Sequence, residues 1–199
     1  MLSAEVLKGR PSGPLGVAVS GGSDSLALLL LLHEAAIPIV AATVNHGLRD
    51  AAAGEAAQVA AVCAKLGIAH ETLIWDPRTG QGNLQQAARE ARHALLADWI
   101  RRMGGSAIAL GHTQNDVAET LLMRLERGSG VDGLAAMRPV MRRDDVTWLR
   151  PLLKTSRNDL RDWLRARGYN WAEDESNNDD RYARVRTRQI IEALDLDIP

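Results

Sequence analysis

Short apolar runs alternate with longer segments of helical periodicity along this chain. Residues 15–20, 39–44 and 107–110 are short apolar runs and 70–75 has the look of a further strand, which predicts four strands. Helical patterns separate them. A Leu-rich segment runs from the first strand to about residue 36, and an Ala-rich helix over 51–66 is stopped by Gly67. A long helix opens at Asn83 with an Asn-x-x-Gln start (Asn83, Gln86) and ends near Met103, before Gly104-Gly105. A further helix covers 115–127, and 128–133 reads as a loop. Beyond it the pattern predicts a short strand around 146–149 and an amphipathic helix over 156–167, and after Tyr169 it becomes polar and weakly ordered.

Strands that alternate with helices imply βαβ units. With the right-handed crossover rule, the expected fold is α/β: a doubly wound, mostly parallel sheet with helices on both faces. A small helical C-terminal segment completes it. The expected division is a core of residues 1–138 and a remainder, 139–199, that belongs to the same domain.

Composition removes several classes. The 199 residues are 46% apolar and 25% charged, as in ordinary globular domains. The longest apolar run, residues 26–32, is too short to span a bilayer, so no membrane partner is expected. No secretory pattern opens the chain, and the single cysteine, Cys63, permits neither an internal disulfide nor a Cys-x-x-Cys site. A cytoplasmic location is the expectation.

Charge adds a direction. Residues 138–190 hold 13 Lys and Arg against 9 Asp and Glu, whereas the net charge of the whole is −1. Residues 181–188 contain Arg181, Arg184, Arg186 and Arg188 and no acid. A basic segment on an acidic body suits a polyanion held on one side. Charge alone would equally describe a solvated helix face.

The candidate chemistry gathers at one sheet edge, because in open α/β sheets ligands bind outside the carboxyl ends of the strands. Three polar segments follow directly on predicted strands: Ser20-Gly21-Gly22-Ser23-Asp24-Ser25, Asn45-His46-Gly47-Leu48-Arg49 and Gly111-His112-Thr113-Gln114-Asn115-Asp116. In the first, two glycines, three hydroxyls and a helix N-terminus make an anion cradle suited to phosphate. It lacks the lysine of a Walker A loop. Asp24 would repel a phosphate unless a cation intervenes, which points to Mg²⁺. Read alone, the segment is also a Gly/Ser turn capped by Asp24. His46 and His112 are candidate nucleotide contacts, or else loop histidines bonded to backbone. Asp116, Glu119 and Thr120 share one helix face, as functional acids or as a dipole cap. Arg89 and Arg92 share another, where they would neutralise developing phosphate charge or simply face solvent.

With these residues the chain resembles the SGGxDS loop of the N-type ATP pyrophosphatases. The remaining blocks narrow the resemblance: Asn45-His46-Gly47-Leu48-Arg49 with Glu55, Ala88-Arg89-x-x-Arg92, Gly111-His112-x-x-x-Asp116-x-x-Glu119-Thr120, Arg127-Gly128-Ser129-Gly130 with Gly133-Leu134, Arg150-Pro151-Leu152-Leu153 with Arg157, and Asp174-Glu175-Ser176-Asn177 before the closing arginines. Over residues 15–190 this order is similar to the tRNA(Ile)-lysidine synthetases.

The resemblance implies an adenine nucleotide alpha-hydrolase-like fold, residues 1–138 forming the ATP-pyrophosphatase core. The implied reaction activates the C2 oxygen of the wobble cytidine of a tRNA(Ile) with anticodon CAU, using ATP and Mg²⁺. L-lysine then displaces AMP. It further implies that Ser20, Gly21, Gly22, Ser23, Asp24, Ser25, His46, Gly111 and His112 bind ATP. Asp24, Arg89, Arg92, Asp116 and Glu119 would be catalytic, with Asp24 or Asp116 as metal ligands. Lys154, Arg157, Arg181, Arg184, Arg186 and Arg188 would face the tRNA. A homodimer is compatible with this pattern but not required by it.

Three departures stand out. Asn115 replaces the first of two acids usual in the histidine block, His93 stands where Tyr is usual, and Val185 replaces a common Asn. Many relatives also continue into further domains. Rival readings are a tRNA cytidine thiolase, opposed by the single cysteine, a small-molecule amidating ligase of the same superfamily, and an inactive nucleotide-binding module.

Overall fold

The structure is a computed structural model that describes residues 1–45, 51–75, 84–128 and 137–173, with Thr187 and Ile191. Chain order is α1 (Ala4–Lys8), β1 (Leu15–Ala18), α2 (Ser23–Glu34), β2 (Ile39–Asn45), α3 (Ala51–Leu66), β3 (His70–Ile74), α4 (Leu84–Arg102), β4 (Ala107–Leu110), α5 (Gln114–Glu126), β5 (Val140–Arg143), β6 (Val146–Leu149) and α6 (Arg157–Arg165). The strands form one sheet in the order β3-β2-β1-β4-β6-β5. All neighbours are parallel except β5, which runs antiparallel to β6. The doubly wound, mostly parallel sheet expected from the sequence is the one observed, and residues beyond 138 supply two of its strands.

Period-2 alternation assigns the side chains to two cores. Leu15, Val17 and Val19 join α2, α3 and α6 on one face, through Leu28, Leu29, Leu32, Val59, Cys63, Leu160 and Leu164. Ala18, Ile108 and Leu110 face the other side, where α4 contributes Leu96, Trp99 and Ile100 and β6 contributes Trp148. Strands β1 and β4 are buried at every position, as the centre of a sheet covered on both faces requires. Trp99 lies so close to the sheet that a Cβ on Gly16 would stand 2.8 Å from its ring. A glycine is needed at that point of β1.

Two elements were not expected. Helix α1 is five residues long, too short for a periodic signal, and buries Val6 and Leu7 against the first core. Its start is tied to the turn between β6 and α6: Ser3 N–H donates to the Pro151 carbonyl at 2.9 Å, and Thr155 Oγ1 to the Met1 carbonyl at 2.9 Å. Strand β5 is largely exposed and pairs with β6 through a turn at Asp144 and Asp145, whose φ angles are +53° and +57°.

The topology fixes the site. From β1 the chain moves outward through β2 and β3, then returns to place β4 on the opposite side of β1. The strand order therefore reverses between β1 and β4, and a crevice opens beyond their carboxyl ends.

Candidate active site

Two loops meet at that crevice. After β1, Gly21 takes a φ of +93°, in the left-handed region a side chain would strain, and Gly22 caps α2. Ser25 locks the turn, its Oγ accepting the Ser20 N–H at 3.1 Å and donating to the Gly22 carbonyl at 3.0 Å. Ser23 Oγ donates to Asp24 Oδ1 at 2.9 Å. The result is a backbone concavity at the amino end of α2, where first-turn N–H groups lack intrahelical partners.

After β4, Gly111 lies directly against it. A Cβ there would sit 2.9 Å from the Asp24 carbonyl oxygen and 2.9 Å from Ser25 Cα, both backbone atoms that cannot swing aside. The absence of a side chain at Gly111 brings the two loops into contact.

His112 follows, and Arg150, just after β6, donates from Nε to its Nδ1 at 3.0 Å and from a terminal nitrogen to the Arg138 carbonyl at 2.8 Å. An accepting Nδ1 means a neutral ring whose proton sits on Nε2.

Thr113 then caps α5, donating N–H and Oγ–H to Asp116 Oδ2, each at 2.8 Å. Two residues on, the side-chain oxygen of Asn115 accepts the Arg157 N–H at 2.9 Å and so satisfies the first N–H of α6.

Arg157 carries the densest interaction in the site. Its guanidinium contacts Asp24 Oδ2 at 2.9 Å, Asp116 Oδ1 at 3.4 Å and Glu119 Oε1 at 3.2 Å. Only 15% of the side chain is exposed, and Glu119 is 1% exposed. Burial alone would lower the guanidinium's pKa, but Asp24, Asp116 and Glu119 outweigh it and hold the charge above its usual range. Three carboxylates that the sequence scatters over two helices thus share one cation. The expectation that Arg157 extends a tRNA-facing surface beside Lys154 does not match its direction. Lys154 is exposed, whereas Arg157 turns inward because the carboxylates stand in its path.

A second group is electropositive. Loss of hydration lowers the pKa of the partly buried Arg92, and the neighbouring Arg89 lowers it further. Arg150 is lowered by the same two causes in the same order. His93, edge-on to Trp148 with centroids 4.6 Å apart, is pushed down to about 4 by burial and then by Arg89, Arg143, Arg92 and Arg150. Arginines that disfavour one another's charge are stabilised by an anion among them.

The segment 171–173 also reaches the first loop, with Ala172 N–H donating to the Gly21 carbonyl at 3.0 Å. Trp171 packs against the first core with Arg165 5.5 Å and Arg161 5.9 Å from its ring.

Of the residues expected at the site, Ser20–Ser25, Gly111, His112, Asp116 and Glu119 lie around the crevice, and Arg89 and Arg92 lie near Arg150. His46, Arg181, Arg184, Arg186 and Arg188 fall outside the described residues. Arg150 and the inward role of Arg157 were not foreseen. Arg150 follows a predicted strand at the same edge as the other three segments, and that signal would have found it. Among the described residues no group of three or more His, Cys, Asp and Glu side chains is arranged to hold a metal. None of the described helices is long and apolar enough to cross a membrane.

The chain is 53% identical over 189 residues to the tRNA(Ile)-lysidine synthase of Ruegeria pomeroyi, covering 93% of this chain and 45% of that protein. Against the tRNA(Ile)-lysidine synthase of Novosphingobium aromaticivorans it is 48% identical over 185 residues, covering 91% and 56%. It thus spans about half the length of the curated relatives it matches.

Among solved structures, a U34-tRNA thiolase, NcsA from Methanococcus maripaludis with its [4Fe-4S] cluster, superposes with a TM-score of 0.80 at 21% identity, covering all of this chain and 71% of that one. An NH₃-dependent NAD synthetase from Campylobacter jejuni gives 0.55 at 15% identity, covering 96% and 77%. These two share the fold. The family described as the PP-loop domain matches residues 3–194, and the chain belongs to it.

Proposed function

We propose that this chain is the catalytic part of an ATP-dependent ligase that joins L-lysine to C2 of the wobble cytidine of tRNA(Ile) bearing CAU. The observation that carries the reading is the junction at the β1/β4 crevice. A phosphate cradle and a buried pair of acids meet there at one guanidinium, in a chain 53% identical to a protein named for that reaction.

In this reading ATP converts the cytosine C2 oxygen into an AMP ester, releasing pyrophosphate, and the lysine amine then displaces AMP. The cradle at 20–25 holds the pyrophosphate end of ATP by backbone N–H groups and hydroxyls, its shape set by Gly21 and by the tight contact at Gly111. His112, with Nδ1 tied to Arg150, presents Nε2–H as a donor to the nucleotide. Arg89 and Arg92 face the phosphate whose charge grows as a leaving group departs. Asp116 and Glu119 orient the incoming amine. Mg²⁺ would screen the phosphates from Asp24, the carboxylate nearest them, which fits a metal held by one or two carboxylates and substrate oxygens. The target cytosine must leave its stack to reach the crevice, a small cost in an anticodon loop. Arg181, Arg184, Arg186, Arg188 and Lys154 are the proposed contacts to tRNA phosphates. The site of action is cytoplasmic, and no contact described above calls for a second copy of the chain.

The test supplies Mg·ATP, labelled lysine and tRNA(Ile) with CAU, or its methionine counterpart, and follows AMP release and label in RNA. Label in the isoleucine tRNA alone is the expected outcome. AMP without label would sink the lysine assignment. AMP formed without RNA would favour a small-molecule ligase.

A further inference from the structure

The cradle and the acids of α5 are separate pieces of chain, and the Arg157 side chain touches both. Arg157 Nε bonds Asp24 in the first turn of α2, while its two terminal nitrogens reach Glu119 and Asp116 on α5. It is itself fixed from behind. Its N–H is held by Asn115 at 2.9 Å, and Ser156 caps the helix it begins by accepting the Asp159 N–H at 3.1 Å. Ser156 and Arg157 follow a turn that the chain's first residues clasp through Ser3 and Met1. A planar guanidinium with donors on three sides holds such a fork in one geometry, which a flexible ammonium does not.

We infer that Arg157 is a positioning residue that makes the cradle and the α5 acids one unit, so that a charge change at the acids is felt at the nucleotide. It does so by fixing the Asp24 carboxylate in register with Asp116 and Glu119, without contacting phosphate or RNA itself. The identity of the amine rests on the reading above, but the link between the two halves does not.

The experiment therefore uses nucleotide alone. Affinity for the Mg²⁺ complex of a non-cleavable α,β-methylene ATP analogue is measured for the full chain and for Glu119→Gln, Arg157→Gln and the double variant. Glu119 lies on α5 and reaches the cradle through its ion pair with Arg157. Glu119→Gln is expected to shift the affinity about five- to tenfold in the parent and less than twofold when Arg157 is already Gln, a non-additivity of the size coupled neighbours show. Additive effects would overturn the inference. So would an Arg157→Gln protein that melts normally and shows an unchanged Glu119 effect. If Arg157→Gln does not fold, Arg157→Lys serves in its place: it keeps the charge but not the fork, and is expected to retain less than half of the coupling on a logarithmic scale. Full coupling in that variant would reduce Arg157 to a counter-charge and overturn the positioning role. Where the chain makes lysidine, Arg157→Lys is further expected to lower kcat at least tenfold with the ATP KM within threefold. A chain that makes no lysidine but shows the coupling would sink the proposed function and leave this inference standing.

Discussion

Single residues in this site act through what they exclude or hold rather than through bulk. Gly111 is the sharpest case. Because a Cβ would stand 2.9 Å from two backbone atoms of α2, Gly111→Ala must push the β4 loop off the cradle. We expect it to weaken Mg·ATP binding at least tenfold by calorimetry while costing about 1–3 kcal/mol of stability.

His93 gives a pH-dependent counterpart. Its pKa falls from 6.5 to about 4 on folding, so between those values the unfolded chain binds more protons. Stability must then rise with pH across that window and be fully present above it. Since the ring is only half-buried, we expect a contribution of about 1–2 kcal/mol, smaller than the full shift would give. Urea melts at pH 7 and pH 5 should show that fraction of the acid loss vanish in His93→Phe, which keeps a ring against Trp148.

At the scale of elements, the start of α6 decides whether the carboxylates have their cation. Asn115, a departure from the two acids usual in its block, accepts the Arg157 N–H with its side-chain oxygen. A carboxylate would do the same and add a favourable charge at the helix N-terminus. Asn115→Asp is therefore expected to leave both melting and turnover within about twofold. Asn115→Leu, which strands that N–H, should cost about 1–3 kcal/mol and loosen Arg157, readable as faster amide exchange at residues 157–159.

The elements also show where sequence reading succeeds. Strands β1 and β4 were legible because runs such as Ala107–Leu110 are apolar throughout and bounded by Gly105 and Gly111. Strand β5 was not, because Val140–Arg143 is exposed and its turn uses Asp144-Asp145 rather than the Asn-Gly or Asp-Gly pair that announces a hairpin. At the site, the residues of the loops after β1 and β4 could be placed from topology. The direction of Arg157 could not. Its spacing from Lys154 suits an exposed surface, and only the packing of α6 against α2 brings Asp24 within 2.9 Å.

For the molecule as a whole, the first residues act as a clasp on the turn between β6 and α6. Removing residues 1–8 takes away Val6 and Leu7 from the core and the two hydrogen bonds to the 151–155 turn. We expect a loss of about 3–5 kcal/mol from two buried aliphatic side chains and those bonds. Chemical denaturation with Mg·ATP present should show the nucleotide recovering part of it, since a ligand bound only to the folded chain stabilises by mass action.

The pairing at the crevice carries a consequence for how the protein is made. Strand β1 meets β4 with Leu15 opposite Ala107, so the two walls of the nucleotide crevice are separated by most of the first half of the chain. Closing so long a loop is slow, and every pairing but the β5–β6 hairpin is a parallel crossover. On the ribosome, no fragment that ends before Gly111 has cleared the exit tunnel can acquire nucleotide, however well its cradle sequence has been translated. Binding competence should switch on abruptly with chain length, and β6 and α6 must follow before the guanidinium arrives. Stalled nascent chains of increasing length, probed with a fluorescent ATP analogue, would display that order of assembly directly.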